Sequence, residues 1–290
     1  MPKMKDFLQS DFPRFKQQNK WVIYNLFDAF IDATLIRNRA IDFSVAPTMD
    51  SKREIHFDLM NIKFTDLLNL DISSLKVGNA SLDNETNVLS KISALPNKSE
   101  YSLLFAHLNW LWSLGFSESA IKSTTCGSYG KNVGIVNCKS LAFVESGLWS
   151  PQNATGRKPN DFVFMYDVFK QYMNTSVRAG DVALAKKDLE RIALAEFPKN
   201  STPMANAFLH YCNPDEHIHI FASDVKRKIL EDACAQQHFE FSSNAIRLSN
   251  GKIDSETSIA ELDSEICHFF DSMNPADYDE LMRKYFYKDR

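Results

Sequence analysis

EYSLLFAHLNWLWSLG, residues 100–115, is the stretch that decides the fold. Its apolar side chains surround nearly the whole circumference of a helix instead of forming one stripe, which is typical of a helix buried on all sides. Gly115 is the last residue of this stretch, and glycine commonly ends a helix because it tolerates a left-handed backbone. The stretch therefore predicts a central core helix, and we expect the chain around it to be mainly α.

The composition supports a helical chain with a large core. The chain has 290 residues and a mass of 33.1 kDa, which suits one large domain or two modest ones. Phenylalanine is abundant at 22 residues and glycine is scarce at 9, so few residues favour the positive-φ turns that all-β folds use. We predict a multi-helix globular fold whose N-terminal part is less regular and has α+β character.

Two polar breaks suggest a domain boundary near residue 99. Residues 78–87 predict a loop, and Pro96 to Ser99 predict a second break with Ser99 as a helix cap. Residues 1–99 are then an unassigned segment with one amphipathic helix at 19–41 and an irregular or strand-forming part at 52–76. Residues 100–290 form the helical domain. Its helices are expected at 100–115, 137–145, 161–174, 181–196, 203–212, 223–237, 259–271 and 275–286.

Charge, hydropathy and cysteine usage exclude several classes of protein. The 33 basic and 37 acidic residues give a net charge of −4, which argues against a chain that coats nucleic acid by charge alone. The most apolar stretch is shorter than the roughly 20 residues that span a bilayer, and we expect neither a membrane segment nor a signal peptide. Five scattered cysteines without a C-x-x-C pair indicate reduced thiols. Cytoplasmic localisation is the prediction.

Catalytic and metal motifs are weak in this sequence. The loop around Gly127 and Gly130 lacks the spacing of a phosphate-binding loop, and the string around Asp58 lacks that of a metal-dependent nuclease. His210, Cys212, His217 and His219 lie within ten residues and could suit zinc, but ordinary packing is the favoured interpretation because His210 and Cys212 face different sides of a helix. We predict no catalytic residue, metal or cofactor.

Two places could contact nucleic acid. Trp149 lies on a loop with Arg157 and Lys158, where an aromatic side chain beside cations could stack on a base. The densest basic cluster, Lys226-Arg227-Lys228, would spread over a broad helix surface that could face phosphates. A packed tryptophan and a solvated helix face are the structural alternatives at these two places.

The string PMANAFLHYCNPDEHIHIFASDVKRKI, residues 203–229, resembles a segment that precedes the ATPase module in McrB-like proteins of type IV, modification-dependent restriction. Ala222 and Val225 depart from the serine and histidine of that pattern. Three looser similarities extend over residues 100–290, whereas residues 1–99 match no family and the chain has no Walker motif. The residues in step with the family pattern are His210, Pro214, Asp215, Ile220, Lys226, Arg227 and Ile229. We ascribe a structural role to five of them, namely His210, Pro214, Asp215, Ile220 and Ile229.

The resemblance implies a noncatalytic specificity or adaptor module of an antiphage restriction system. DNA and a separate AAA+ ATPase and nuclease subunit are the partners it implies, and the oligomeric state stays open. Two alternatives remain. One is a DNA-cutting or DNA-modifying enzyme with a dispersed active site, and the other is a structural or regulatory interaction subunit.

Overall fold

The computed structural model describes residues 20–73, 85–114, 129–133, 158–175, 180–197, 202–218, 223–237, 239–242 and 246–272. These residues fall into two compact units, an N-terminal unit within Pro13–Ala193 and a C-terminal unit within Leu194–Arg290. The boundary near residue 99 that the sequence predicts therefore lies inside the N-terminal unit. The prediction of a mainly α fold is confirmed, because helices dominate and the strands are short.

The N-terminal unit consists of helices and one small hairpin. Its described elements are α1 (Lys20–Ile31, continued by a π-helical turn Asp32–Ile36), β1 (Thr48–Met49), β2 (Ile55–His56), α2 (Phe64–Leu68), α3 (Glu85–Ser93), α4 (Lys98–Trp112), a 3₁₀ turn (Gly130–Val133), α5 (Lys158–Asn174) and α6 (Val182–Glu196). Strands β1 and β2 pair antiparallel. The division between the units falls in the last turn of α6.

The central helix of the N-terminal unit is α4, as its all-round apolar pattern predicts. Every side chain from Tyr101 to Trp112 is buried. The Trp110 ring stacks on Phe30 of α1 with centroids 5.6 Å apart, and Phe43 stacks on its ring at 5.9 Å. Because such pairs add to the free energy of simple burial, α4 holds α1 and the following loop in place.

Helix α1 ends earlier than its apolar pattern predicts, because the chain after it is drawn into contacts with α4 and α2. The sequence predicts a helix over residues 19–41, but helical structure ends at Ile36. Asn38 has a left-handed backbone, with φ of 53°, and its side-chain Oδ1 accepts a hydrogen bond from Thr65 N at the start of α2. The amide of Ile41 bonds to α4 instead of continuing a helix.

His107 makes the polar connection inside this aromatic core. Its Nδ1 donates to Leu103 O, and its Nε2 accepts from Ile41 N, each at 2.8 Å. Because Nε2 can accept a hydrogen bond only when it carries no proton, this pair of contacts requires the neutral imidazole. Burial lowers the pKa of His107 to about 4, so the ring stays neutral at ordinary pH.

Helix α5 is anchored in its first turn and at its middle by polar contacts. The Trp112 indole N–H donates to the buried Asp161 carboxylate in the first turn of α5, at 2.9 Å. At the middle of α5, the Tyr166 hydroxyl lies within 2.8 Å of the carbonyl oxygens of Leu68 and Leu70. These contacts fix α5 against α4 and α2.

The C-terminal unit contains α7 (Pro203–Cys212), α8 (Ser223–Gln237), the antiparallel hairpin β3 (Leu248–Ser249) and β4 (Lys252–Ile253), and α9 (Ile259–Ser272). Helices α8 and α9 pack against each other around one apolar cluster. Its buried members are Ile218, Ile229, Leu230, Ala233, Ile246, Ile253, Leu262, Ile266 and Phe269.

Some predicted elements differ from the observed ones or lie outside the described residues. The helices predicted at 137–145 and 275–286 lie outside the described residues. Part of the loop predicted at 78–87 is helical, because α3 begins at Glu85, and Ser99 lies inside α4 behind the Asn97 N-cap position. Over the part of the chain that the structure describes, no helix is long and apolar enough to cross a bilayer.

We expect His107→Ala to lower the free energy of unfolding of the N-terminal unit by about 2–4 kcal/mol, because it opens a cavity and leaves the buried Ile41 N–H without its acceptor. All four tryptophans lie within residues 13–193. Urea denaturation followed by tryptophan fluorescence therefore reports this unit. The exposed His56→Ala variant is the matched control and should change stability by less than about 0.5 kcal/mol. Equal effects of the two variants would contradict the role given to His107.

Candidate functional site

The candidate site is a buried polar cluster in the C-terminal unit, and α7 supplies its first members. Thr202 caps α7 by accepting a hydrogen bond from Ala205 N, and Pro203 occupies the first turn, where it costs no hydrogen bond. One face of α7 carries Asn206 and His210, four residues apart, toward α8 and α9. The chain then turns at Asn213, whose carbonyl oxygen accepts from His217 N at 3.0 Å.

Lys226 lies at the centre of this cluster. Its ammonium group is completely buried and donates to Asp263 Oδ1 on α9 and to Asn206 Oδ1 on α7, the latter at 2.6 Å. Asn206 Nδ2 in turn donates to Ser223 Oγ and to Thr202 O. The side chain of one lysine on α8 thus joins α7 and α9.

Asp263 also binds an imidazole. Its Oδ2 accepts from His217 Nδ1 at 3.0 Å, and the two side chains are only 1% and 3% exposed. His210 completes the cluster, because its Nδ1 donates to His217 O at 2.6 Å. We call the side chains of Asn206, His210, His217, Lys226 and Asp263 the buried cluster.

Burial controls the protonation of the cluster. It lowers the pKa of His210 to about 4, although the hydrogen bond to His217 O and the nearby Asp263 charge act in the opposite direction. Burial likewise lowers the pKa of Lys226, and the Asp263 carboxylate opposes that shift. Because Asp263 contacts Lys226 directly, we assign this pair as an ammonium and a carboxylate.

An imidazole oriented by a carboxylate, as in the His217–Asp263 pair, can act as a general base where a substrate reaches it. Each member of the buried cluster is less than 5% exposed. Lys226 and His217 both use the Asp263 oxygens, and His210 is bonded to a main-chain carbonyl. The arrangement satisfies buried polar groups and orients three segments of chain, which is the ordinary task of such a network.

The structure corrects the expectation that Lys226 faces phosphates, because its ammonium group lies inside the unit. Arg227 is half-buried, and its guanidinium donates to the carbonyl oxygens of Ser255 and Thr257 at 3.0 and 3.3 Å. Lys228 alone of the three is exposed. The basic run on α8 therefore offers one free cation instead of a broad cationic surface.

Of the three residues predicted to contact DNA in this region, only Lys158 is among the described residues. Trp149 and Arg157 lie outside the described residues. Lys158 is the first residue of α5, and its side chain is not described. These three residues stay a prediction.

The residues that match the family pattern have different environments. His210 and Ile229 are buried, Pro214 is half-buried and Asp215 is exposed, while Ile220 lies outside the described residues. Two of the residues that could have suited zinc bind other groups. The Nδ1 of His210 donates to the main-chain oxygen of His217, and the Nδ1 of His217 donates to the Asp263 carboxylate. The sequence suggested the importance of this segment but not its partner Asp263, which is 37 residues beyond Lys226.

A second group of polar side chains lies on the β1–β2 hairpin and was not expected from the sequence. Ligand-type atoms of Asp50, Glu54 and His56 lie within 4.8 Å of one another, and all three residues are exposed. The backbone N–H of Glu54 and that of Lys52 donate to Asp50 Oδ1, so the carboxylate shapes the turn. Backbone hydrogen bonding from Glu54 lowers the pKa of Asp50. A structural role in the hairpin accounts for these contacts.

No family model matches the chain, and neither the curated proteins nor the solved structures contain a significant match.

We expect Lys226→Met to reduce the free energy of unfolding of the C-terminal unit by about 3–5 kcal/mol, since it leaves the Asp263 carboxylate buried without its main partner. Adding Asp263→Asn removes that charge and still provides an acceptor for His217, so the double variant should recover about half of the loss or more. Hydrogen exchange of α8 and α9 measures both effects.

The exposed Lys228→Met variant is the matched control for Lys226→Met and should be within about 0.5 kcal/mol of the parent protein. Additive losses from Lys226→Met and Asp263→Asn would refute the coupling between the two charges.

Proposed function

We propose that the chain is a noncatalytic adaptor module of an McrB-like, modification-dependent restriction system, working with a separate AAA+ ATPase and nuclease. The observation that carries the proposal is the location of His210, Lys226 and Ile229 inside one packed unit. These residues belong to the string that resembles the family. Because these residues join α7, α8 and α9, this chain and the McrB-like proteins would share them for the fold that they specify and not for a reaction.

The charge of the C-terminal unit supports an adaptor role for this part of the chain. Apart from the buried Lys226, Asp263 and Glu265, its described residues between 202 and 272 include four lysines and arginines but ten aspartates and glutamates. An acidic surface repels the phosphate backbone, whereas it favours a basic surface of a partner protein. We therefore assign the C-terminal unit to protein contact with the motor or nuclease.

DNA contact, in this proposal, belongs to the predicted loop that carries Trp149 and Arg157 and to Lys158, the first residue of α5. Trp149 could stack on a base, while Arg157 and Lys158 could bind phosphates. Two basic side chains are too few to bind DNA tightly alone, so partner subunits would supply further contacts. Antiviral defence of this kind would place the protein in the cytoplasm, in keeping with the reduced cysteines Cys212, Cys234 and Cys267.

The DNA-contact part of the proposal can be tested with plain and cytosine-modified duplexes at low salt, by fluorescence anisotropy. Arg157→Glu/Lys158→Glu should weaken binding at least about tenfold and reduce its salt dependence, because each variant residue replaces a phosphate contact by a repulsion. Lys228→Glu is the matched charge reversal on α8 and should leave binding within about twofold. Equal weakening by both variants would contradict the assignment of DNA contact to the loop.

The adaptor part can be tested separately by co-expression of the chain with the products of its neighbouring genes, among which the proposal expects an ATPase and a nuclease. We expect the motor subunit to co-purify with the chain, and the complex to dissociate as salt is raised. Absence of DNA binding at low salt together with absence of a co-purifying ATPase would refute the whole proposal. Cleavage of phage DNA by the chain alone with Mg²⁺ would favour the enzyme alternative.

A further inference from the structure

The β1–β2 hairpin brings three metal-ligating side chains together on its solvent face. Its strands pair antiparallel, with Thr48 opposite His56. The pairing continues into the turn, where Asp50 N donates to Glu54 O at 3.0 Å. Ile55 is buried, and side chains alternate along a strand, so its neighbours Glu54 and His56 share the opposite, exposed face. Asp50 joins them from the other side of the hairpin.

The turn holds the Asp50 carboxylate in one orientation. Its Oδ1 accepts hydrogen bonds from the backbone N–H groups of Lys52 and Glu54, at 2.9 and 2.8 Å. Its Oδ2 lies 3.6 Å from His56 Nε2. The Glu54 carboxylate takes no part in these hairpin contacts. One oxygen of Asp50 therefore shapes the turn, while the other lies beside two further donor groups.

The spacing of the donor atoms fits a divalent cation. One ligand-type atom from each of Asp50, Glu54 and His56 lies within 4.8 Å of the other two. Ligand atoms about 2.0–2.2 Å from a metal ion are about 3.0–3.5 Å apart in octahedral or tetrahedral coordination. The 3.6 Å between Asp50 Oδ2 and His56 Nε2 is close to that range. Because all three side chains are exposed, small rotations would complete the adjustment.

Direct pairing within the group accounts less well for the arrangement. The 3.6 Å between Asp50 and His56 exceeds the usual length of a hydrogen bond, and an exposed ion pair of this kind contributes little stability. The carboxylates of Asp50 and Glu54 lie across the hairpin from each other, where like charges destabilise strand pairing. A cation between them would offset this repulsion and link both sides of the hairpin.

We propose that Asp50, Glu54 and His56 form a binding site for a divalent first-row transition-metal ion. Two carboxylate oxygens and one imidazole nitrogen are donors that suit the ions from Mn²⁺ to Zn²⁺. The imidazole distinguishes the site from an ordinary acidic surface, since Mg²⁺ and Ca²⁺ are bound by oxygen ligands. Water completes the coordination on the solvent side. The inference does not depend on the proposed restriction function.

Binding of Mn²⁺ to the full chain tests the site, because the cysteine thiols favour softer metals. Loss of the electron paramagnetic resonance signal of free Mn²⁺ measures the bound fraction. We expect saturable binding that Zn²⁺ abolishes at lower concentration than Mg²⁺ does. The reverse order would overturn the assignment to transition metals. Absence of Mn²⁺ binding at about 1 mM, the weak limit of useful cation sites, would overturn the site itself.

Variants of the hairpin locate the bound ion. Asp50→Asn keeps an oxygen acceptor for the turn but removes the second carboxylate oxygen, and His56→Ala removes the imidazole. Each should weaken Mn²⁺ binding at least about tenfold, since even indirect changes around a metal commonly have that effect. Asp66→Asn on α2 and His268→Ala on α9 are the matched controls at exposed positions and should leave binding within about twofold. Equal affinities in all four variants would contradict the proposal.

A direct measurement on the unaltered protein covers the case in which Asp50→Asn distorts the hairpin. Crystals of the full chain grown with MnCl₂ should show an anomalous scattering peak between the side chains of Asp50, Glu54 and His56. A peak at other residues alone, or no peak under conditions that saturate binding in solution, would overturn the site.

Discussion

The contact between Lys226 and Asp263 determines how the C-terminal unit is assembled. Both charges are withdrawn from water, so each requires the other at a short distance and in one orientation. Lys226 lies on α8, Asp263 on α9, and their shared neighbours Asn206 and His217 come from α7 and the turn. Apolar packing alone would allow these helices to slide, whereas the paired charges select one arrangement, which is our hypothesis for why the pair is kept.

In the N-terminal unit, an uncharged side chain connects the buried segments. His107 lies on a helix that is buried on every side, and both of its ring nitrogens bind main-chain groups. One of them belongs to Ile41, 66 residues earlier in the sequence. In each unit, a polar side chain deep in the core connects segments that are remote in sequence, and in each the neutral imidazole is maintained by burial.

The sequence predicts the helices of this protein well where local signals define them. Pro203–Cys212 and Ser223–Gln237 are observed with the predicted bounds, because their apolar spacing is helical and Thr202 with Pro203 marks a start. The predicted end of α1 was wrong, because the observed end depends on hydrogen bonds that Asn38 and Ile41 form with distant parts of the chain. The burial of Lys226 also depends on a distant partner, Asp263. A lysine beside two other cations has the pattern of an exposed surface, so its burial could not be predicted without that partner.

Asn38 illustrates how narrowly one position can be specified. Its backbone has φ of 53°, which glycine and, among other residues, asparagine and aspartate adopt most readily. Its Oδ1 also accepts the Thr65 amide hydrogen while its Nδ2 donates to Thr65 Oγ1. Glycine would keep the backbone shape but lose both bonds, and aspartate would keep one of them. Natural variation at this site should therefore be confined to very few amino acids, and a relative with any other residue there would have to connect α1 to α2 by a different path.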